Sequence, residues 1–297
     1  MPTIRNYVIA TRPWSFSMSL ISVSLGTLLA AEQGSIHWGW YLAVAIGMVL
    51  CHAAGNVLND YFDTKSGVDQ PDSGTVKYRP HPVLGGLMSP EAVLVEALVL
   101  LGLAALIGMT LVFFRSVLIL WIALAGLLLT VFYTGRPINL KYRALGELVV
   151  FLIWGPLMFQ GAYVAQAGTL SMKALVASVP FGVLVALVLF ANNIRDIEQD
   201  GRIGIRTLAT LLGLQGSLVA FAGFMVCAFA YTLVAVVVGA MSPWVLLVFF
   251  SLPTAIGLMR RFRVSVPEMA DALTAKLDTV FGLLFLAALL IDRAVRL

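Results

Sequence analysis

Residues 41–69 read YLAVAIGMVLCHAAGNVLNDYFDTKSGVD. From 41 to 58 the chain is almost wholly apolar or small. Asn59, Asp60, Asp63 and Asp69 then follow in close order, with Asp72 just beyond. An apolar run of about 20 residues is long enough to cross a bilayer as one helix. Ionisable groups fastened to such a helix are costly in lipid, so they mark function. A second stretch repeats the pattern: residues 174–200, ALVASVPFGVLVALVLFANNIRDIEQD, end in Asn192, Asn193, Arg195, Asp196, Glu198 and Asp200. The two share a register. Asn59 precedes Asp63 by four, Asn192 precedes Asp196 by four, and Asp200 follows four later. On a helix, residues four apart share a face. Each cluster therefore predicts one polar stripe, and the matching positions suggest an internal pseudo-repeat facing a common centre.

Outward from these stretches the chain stays apolar. Of its 297 residues 60% are hydrophobic and 11% charged, against roughly 25% charged in a soluble domain. Mean hydropathy is +0.96. The fold class this predicts is all-α: a polytopic membrane protein with about nine transmembrane helices around a central cavity. The predicted spans are 14–32, 39–59, 91–113, 116–134, 146–166, 174–194, 215–239, 243–259 and 273–292. The first reads as a retained helix, since no small-residue cleavage site follows a short apolar core. Cys51 and Cys227 lie in apolar runs and read as packing residues, with no disulfide or metal spacing.

The pI of 9.2 does not call for nucleic acid. Placing the N-terminus in the cytoplasm puts fourteen of the nineteen Lys and Arg on the inside, among them Arg5, Lys65, Lys77, Arg79 and Arg136, and only Arg115, Lys173, Arg293 and Arg296 outside. That bias is the positive-inside rule. Both long connections, 60–90 and 195–214, then fall on the cytoplasmic side with the Asp-rich clusters. Long polar loops tend to carry function.

Two bare carboxylate stripes facing each other repel. Divalent cations between them resolve this, and hard oxygen ligands suit Mg²⁺ together with substrate phosphates. Basic residues at the same level, Arg12, Lys141, Arg143 and Arg195 among them, offer phosphate contacts. For any single one, plain positive-inside topology is the competing reading, and Arg195, flanked by Asn193 and Asp196, stands out most. His52, inside the second span, reads as a hydrogen-bonded structural histidine. Asp278, in the last span, could pair with Lys276 or line the cavity.

NDYFDTKSGVD, FYTGRPINLKYRALGELVVFLIWGPLM at 132–158 and NNIRDIEQDGRIGIRTLATLLG at 192–213 together resemble the UbiA superfamily of intramembrane aromatic prenyltransferases. Within it they look most like the 1,4-dihydroxy-2-naphthoate branch of menaquinone synthesis. One departure stands out: where the superfamily's first motif has an Asp four after the middle one, this chain has Gly67, and Asp69 follows two further on. The resemblance implies a single domain over 1–297, and Mg²⁺-dependent transfer of a polyisoprenyl group from its diphosphate to a small aromatic acceptor. It implies that Asp63, Asp69, Asp196 and Asp200 hold Mg²⁺, with Asp63 and Asp196 central to catalysis. Asn59 and Asn192 would orient diphosphate oxygens or the metal-holding carboxylates. Arg12, Lys141, Arg143 and Arg195 would contact the diphosphate. Tyr133 would face the reacting allylic carbon, its other reading being an interfacial anchor. The isoprenoid tail would lie between helices, open laterally to lipid. The implied setting is the cell (inner) membrane, multi-pass, with the N-terminus cytoplasmic, and no nucleic-acid partner. In the naphthoate branch the acceptor's carboxylate leaves as CO₂ and the prenyl group takes its place. Other acceptors of the same reaction (4-hydroxybenzoate, homogentisate, a glyceryl ether phosphate) and a membrane transporter are the alternatives. A transporter places ionisable groups at the midplane, whereas these acids gather at one membrane face.

Overall fold

The computed structural model describes residues 2–71, 76, 79–135 and 137–296. Asp72, Lys77 and Arg136 lie outside the described residues. Within them the chain is all-helical. The short helix α1 (Ile4–Ala10) leads to Arg12, whose backbone is left-handed (φ 55). Pro13 then opens a 3₁₀ turn, Pro13–Ser15, that runs into α2 (Phe16–Ala30). Pro suits that first position because its missing N–H would have no partner there. Next come α3 (Trp38–Ser66), α4 (Pro90–Phe114) and α5 (Leu118–Thr134). A 3₁₀ turn, Leu140–Tyr142, precedes α6 (Gly146–Leu152). One π-helical turn, Ile153–Leu157, joins α6 to α7 (Met158–Ala167). Then follow α8 (Met172–Arg195), the short α9 (Ile197–Arg202) and α10 (Leu208–Val237). A 3₁₀ stretch, Pro243–Ser251, continues as α11 (Leu252–Val264), and α12 (Ala270–Arg296) ends the chain.

Among the described residues, eight helical stretches of 18 residues or more are apolar enough to cross a membrane. The ninth expected span is α5, whose 17 residues reach about 26 Å at 1.5 Å per residue. The protein is a multi-pass integral membrane protein.

Helix bounds moved where the sequence carries the punctuation. α3 runs seven residues past the expected 59, so Asp60 and Asp63 lie on the same helix as Asn59, and the four-residue register holds. Nothing in NDYFDTKS breaks a helix. Gly67 does: it is left-handed (φ 74), its N–H bonds Thr64 O at 3.1 Å, and Val68 N–H bonds Asp63 O at 2.9 Å. This paired closure is a Schellman motif, and glycine is the residue that enters it without a Cβ clash. α10 starts at Leu208, not 215, on a Thr207–Thr210 capping box, and breaks at Gly213.

α8 is the central element, with Phe181, Leu184, Leu187 and Phe190 buried among α2, α7, α10 and α12. Small residues set its closest approach. A Cβ on Gly182 would lie 2.9 Å from Gly155 Cα in the π-helical turn. Close backbone contact of this kind is how helices associate where lipid supplies no hydrophobic drive. α5 is the opposite case: it buries only Ile119 and Thr134.

Candidate active site

Asn59 and Asp63 share one face of α3, and Asn59 Nδ2 donates to Asp63 Oδ2 at 3.0 Å. The turn 140–142 comes across to meet them. Lys141 Nζ donates to Asp63 Oδ2 at 2.7 Å and to Asn59 Oδ1 at 3.4 Å, and Tyr142 OH donates to Asp63 Oδ1. Burial works against the Lys141 charge. Asp63 first, then Tyr142, Tyr133 and Asp69, outweigh it and hold the ammonium well above the usual lysine range. Burial also raises the Tyr142 hydroxyl, so it stays a protonated donor.

The second cluster is built around Arg195. Its guanidinium forks onto Asp196 (2.8 and 2.7 Å) and donates to Asn192 Oδ1 at 2.7 Å. From α12, Asp271 Oδ1 accepts from Arg195 Nη1 at 3.3 Å. Asp196 caps α8, and Asp200 N–H bonds Asp196 O at 2.9 Å, so the four-residue register carries across the break into α9. The two clusters face each other. Burial pushes the Asp200 carboxyl up to about 7; the charges of Asp196, Asp63 and Asp69 push the same way and Lys141 opposes them.

A third cluster lies behind the first. Asp60 is turned away from the cavity and buried, paired with Arg12 and with Arg79 Nη2 at 2.8 Å. Asp69 reaches the cavity wall after Gly67 ends α3. Its Oδ2 meets His81 Nε2 at 3.1 Å. His81 Nδ1 accepts the Val83 and Leu84 amides at 3.3 and 3.1 Å. The proton therefore belongs on Nε2, which donates to Asp69. His81, Asp69 and Asp60 are close enough to suggest a metal group, but Asp60 is already neutralised by two guanidiniums and the imidazole's other nitrogen is engaged. The cluster is an ion-pair network.

Asn59, Asp63, Asp69, Asn192, Asp196 and Asp200 all open on one cavity of about 800 Å³, as do Arg12, Arg79, Tyr133, Lys141 and Tyr142. From Asp63 the cavity follows α3 to Ala43, about 30 Å at 1.5 Å per residue. Beyond the polar end its wall is apolar, with Met48, Ile107, Leu111, Ile119 and Ile122. Two expected contacts stand elsewhere. Arg143 is exposed, off the cavity wall, and donates to Pro137 O at 3.4 Å, while its neighbour Ala144 bonds Arg206 O. Arg195 lies behind Asn192 and Asp196 and orients them. Asp278 is buried without lining the cavity; its carboxylate oxygens have no partner among the described residues, and Lys276 is exposed. Sequence reasoning passed over Tyr142, His81 and Asp271; Asn193, named in the second cluster, is buried and its amide donates to Glu147 at 2.9 Å. Only Tyr142 had a signal, its place beside Lys141.

Residues 19–289 match the UbiA prenyltransferase family. The chain belongs to that family. Among relatives, UbiA prenyltransferase domain-containing protein 1 of Danio rerio is 34% identical over 96% of this chain and 84% of its own length. The 1,4-dihydroxy-2-naphthoate octaprenyltransferase of Bacillus subtilis (strain 168) is 31% identical over 95% of this chain and 91% of its own. A solved UbiA homolog from Aeropyrum pernix K1 shares the fold with a TM-score of 0.71 at 19% identity, over 94% of this chain and 98% of that one. A UbiA homolog from Archaeoglobus fulgidus bound to GPP and Mg²⁺ gives 0.69 at 12% identity, over 96% and 99%.

The donor set of this UbiA prenyltransferase fits such a cation. Four carboxylates and two amide side chains line the same end of one cavity, a set with no sulfur or imidazole in it and of the hard kind that Mg²⁺ takes.

Proposed function

We propose that this prenyltransferase moves a polyprenyl group from its diphosphate to an aromatic ring, with 1,4-dihydroxy-2-naphthoate as acceptor and menaquinone biosynthesis as its setting. The reading rests on one observation above all. A single cavity joins facing carboxylates and cations at one end to an apolar channel the length of a bilayer core. A polyprenyl diphosphate has that same division. The Bacillus subtilis relative, 31% identical and named for that acceptor, supports it.

Asp63, Asp69, Asp196 and Asp200 are the residues that would hold Mg²⁺. A cation held there would supply the positive charge that makes the diphosphate a better leaving group. Lys141 supplies a fixed ammonium beside Asp63, and Arg12 and Arg79 bring two guanidiniums to the wall against the one charge of Asp60. Around Asp60 that leaves one positive charge in excess, a partner for a diphosphate oxygen once the carboxylates hold their cation. Arg195 holds Asp196 and Asn192 in place. Tyr133 offers a ring face to the allylic cation. The tail lies along α3, α4 and α5, and the thinly packed α5 leaves it open to lipid. The polar end faces the cytoplasm of the cell's inner membrane, where the Lys and Arg bias puts it.

The test is turnover. Purified protein, Mg²⁺ and a polyprenyl diphosphate are incubated with 1,4-dihydroxy-2-naphthoate or with 4-hydroxybenzoate, and products are read by mass. A prenylated, decarboxylated naphthoquinol is the expected product. Product only from the benzoate would move the pathway, and no product from folded protein would remove the reading.

A further inference from the structure

Below the carboxylates the cavity wall is largely apolar, and one group of polar side chains stands out in it. Ser15, His52, Asn56 and Trp154 meet there, all lining the cavity. Asn56 is seven residues from Asp63 on α3, about 10 Å along the axis. That leaves room for a diphosphate between them. Trp154 comes from the π-helical turn Ile153–Leu157, where Gly155 leaves helical geometry and Pro156 follows. Such turns often mark functional sites. Ser22 Oγ fixes this one by donating to Trp154 O at 2.7 Å.

The hydrogen bonds at this place run in one direction. Ser15 Oγ donates to Arg12 O at 2.8 Å, so toward His52 it can only accept, and His52 Nε2–H donates to it at 3.2 Å. His52 Nδ1 is then an acceptor and takes the Ser19 hydroxyl at 2.8 Å. Ser19 in turn accepts Trp154 Nε1–H at 3.1 Å. Asn56 Nδ2 donates to Thr11 O at 2.9 Å and Ser15 Oγ at 3.2 Å. Every donor is matched, and the wall is rigid. One group remains: among the described residues, Asn56 Oδ1 receives no hydrogen bond.

We propose that this wall is the subsite for the acceptor ring, and that it selects a hydroxyarene whose hydroxyl donates to Asn56 Oδ1 while the ring packs beside Trp154 and His52. The inference rests on the prenyl-transfer reading and deepens it. The other substrate cannot use the site. An ionised diphosphate and an isoprenoid tail have no proton to donate, so an acceptor oxygen in the wall discriminates for the ring alone. His52 is therefore a positioning residue whose bonds hold Ser15, Ser19 and Trp154 in register.

The experiment compares Asn56→Ala with wild type on 1,4-dihydroxy-2-naphthoate and its mono-O-methyl ethers. An ether oxygen still feeds electrons to the ring but donates no hydrogen bond. In wild type, methylating the recognised hydroxyl should raise the acceptor KM roughly tenfold, the worth of one hydrogen bond. Asn56→Ala should raise it by the same factor, and methylation should then cost nothing further. The KM for polyprenyl diphosphate and the Mg²⁺ dependence should not move. Losses that add in the variant, or a rise in donor KM instead, overturn the subsite. Retained binding of polyprenyl diphosphate certifies the fold of the variant. If Asn56→Ala does not fold, Trp154→Phe carries the same test, with acceptor KM raised and donor KM unmoved; the reverse split overturns the proposal. Wild type that turns over no hydroxyarene at all would instead remove the prenyl-transfer reading.

Discussion

Asp63 and Asp196 stand in mirrored places but are held differently, and their variants should part company. Among the described residues, Asp63 is the only carboxylate that Lys141 bonds, 2.7 Å away and buried. Asp63→Asn removes the ammonium's bonded counter-charge, a loss of about 3–5 kcal/mol for a buried pair. Arg195 keeps Asn192 and Asp271 when Asp196 becomes Asn. Both substitutions should abolish product formation. Thermal unfolding in detergent should show the larger fall in Tm for Asp63→Asn; equal shifts would mean that Lys141 finds another partner. His81 gives a second expectation. It donates to Asp69 while two backbone amides fix its ring. Removing a partner that orients a metal-holding carboxylate costs about 10–100-fold in metal affinity. His81→Ala should raise the Mg²⁺ concentration for half-maximal turnover by that order and restore most of the rate at saturating Mg²⁺. A lower Tm with an unmoved Mg²⁺ curve would reduce His81 to a structural prop.

At the scale of the element, hydropathy alone located the spans, because lipid-facing helices must be apolar all round and about 20 residues long. Where they end was less legible. NDYFDTKS looks like a loop by polarity, yet it is helix to Ser66, since carboxylates turned inward need no solvent when Lys141, Tyr142, Arg12 and Arg79 meet them. Asn59, Asp63, Asn192, Asp196 and Asp200 could be grouped from sequence because a four-residue register is local. His81 and Tyr142 could not. Tyr142 reaches Asp63 across 79 positions and His81 reaches Asp69 through a loop, and no periodicity records such a contact. Arg143 misled for the converse reason: two residues from Lys141, it points to the opposite side. Gly67 ties residue to element. Its left-handed turn ends α3 and delivers Asp69, two residues beyond the superfamily's usual Asp. Gly67→Ala should cost about 1–2 kcal/mol by the left-handed penalty, and Gly67→Asn less, since Asn enters that region more readily. Unfolding in detergent would measure the order; Ala at no cost would mean that the turn can be made another way.

The whole molecule is a channel with a charged head, and its depth should set which donors it accepts. Two glycines line it at different depths. Gly126 is one turn along α5 from Thr130, which faces Gly55 of α3; Gly108 neighbours Ile107, which faces Gly47. Counted along α3 from Asp63, Gly47 lies 16 residues away, about 24 Å, and Gly55 eight, about 12 Å. A Cβ at either Gly108 or Gly126 would meet nothing within 4 Å. The backbone therefore accepts a side chain at both, its further atoms directed into the channel volume, and each helix gains about 1 kcal/mol of propensity. Neither variant should lose stability, and both should lose volume. Gly108→Leu should keep turnover with short prenyl diphosphates and lose it with long ones. Gly126→Leu, nearer the carboxylates, should cut off at a shorter chain. The measurement is kcat/KM across a series from geranyl to octaprenyl diphosphate at one acceptor concentration. Two cut-offs in that order would make the channel a ruler read from the Asp63 end. A uniform loss at every length would mean that the leucines disturb the head, and no loss would mean that the tail leaves between α4 and α5 into lipid before it reaches either depth.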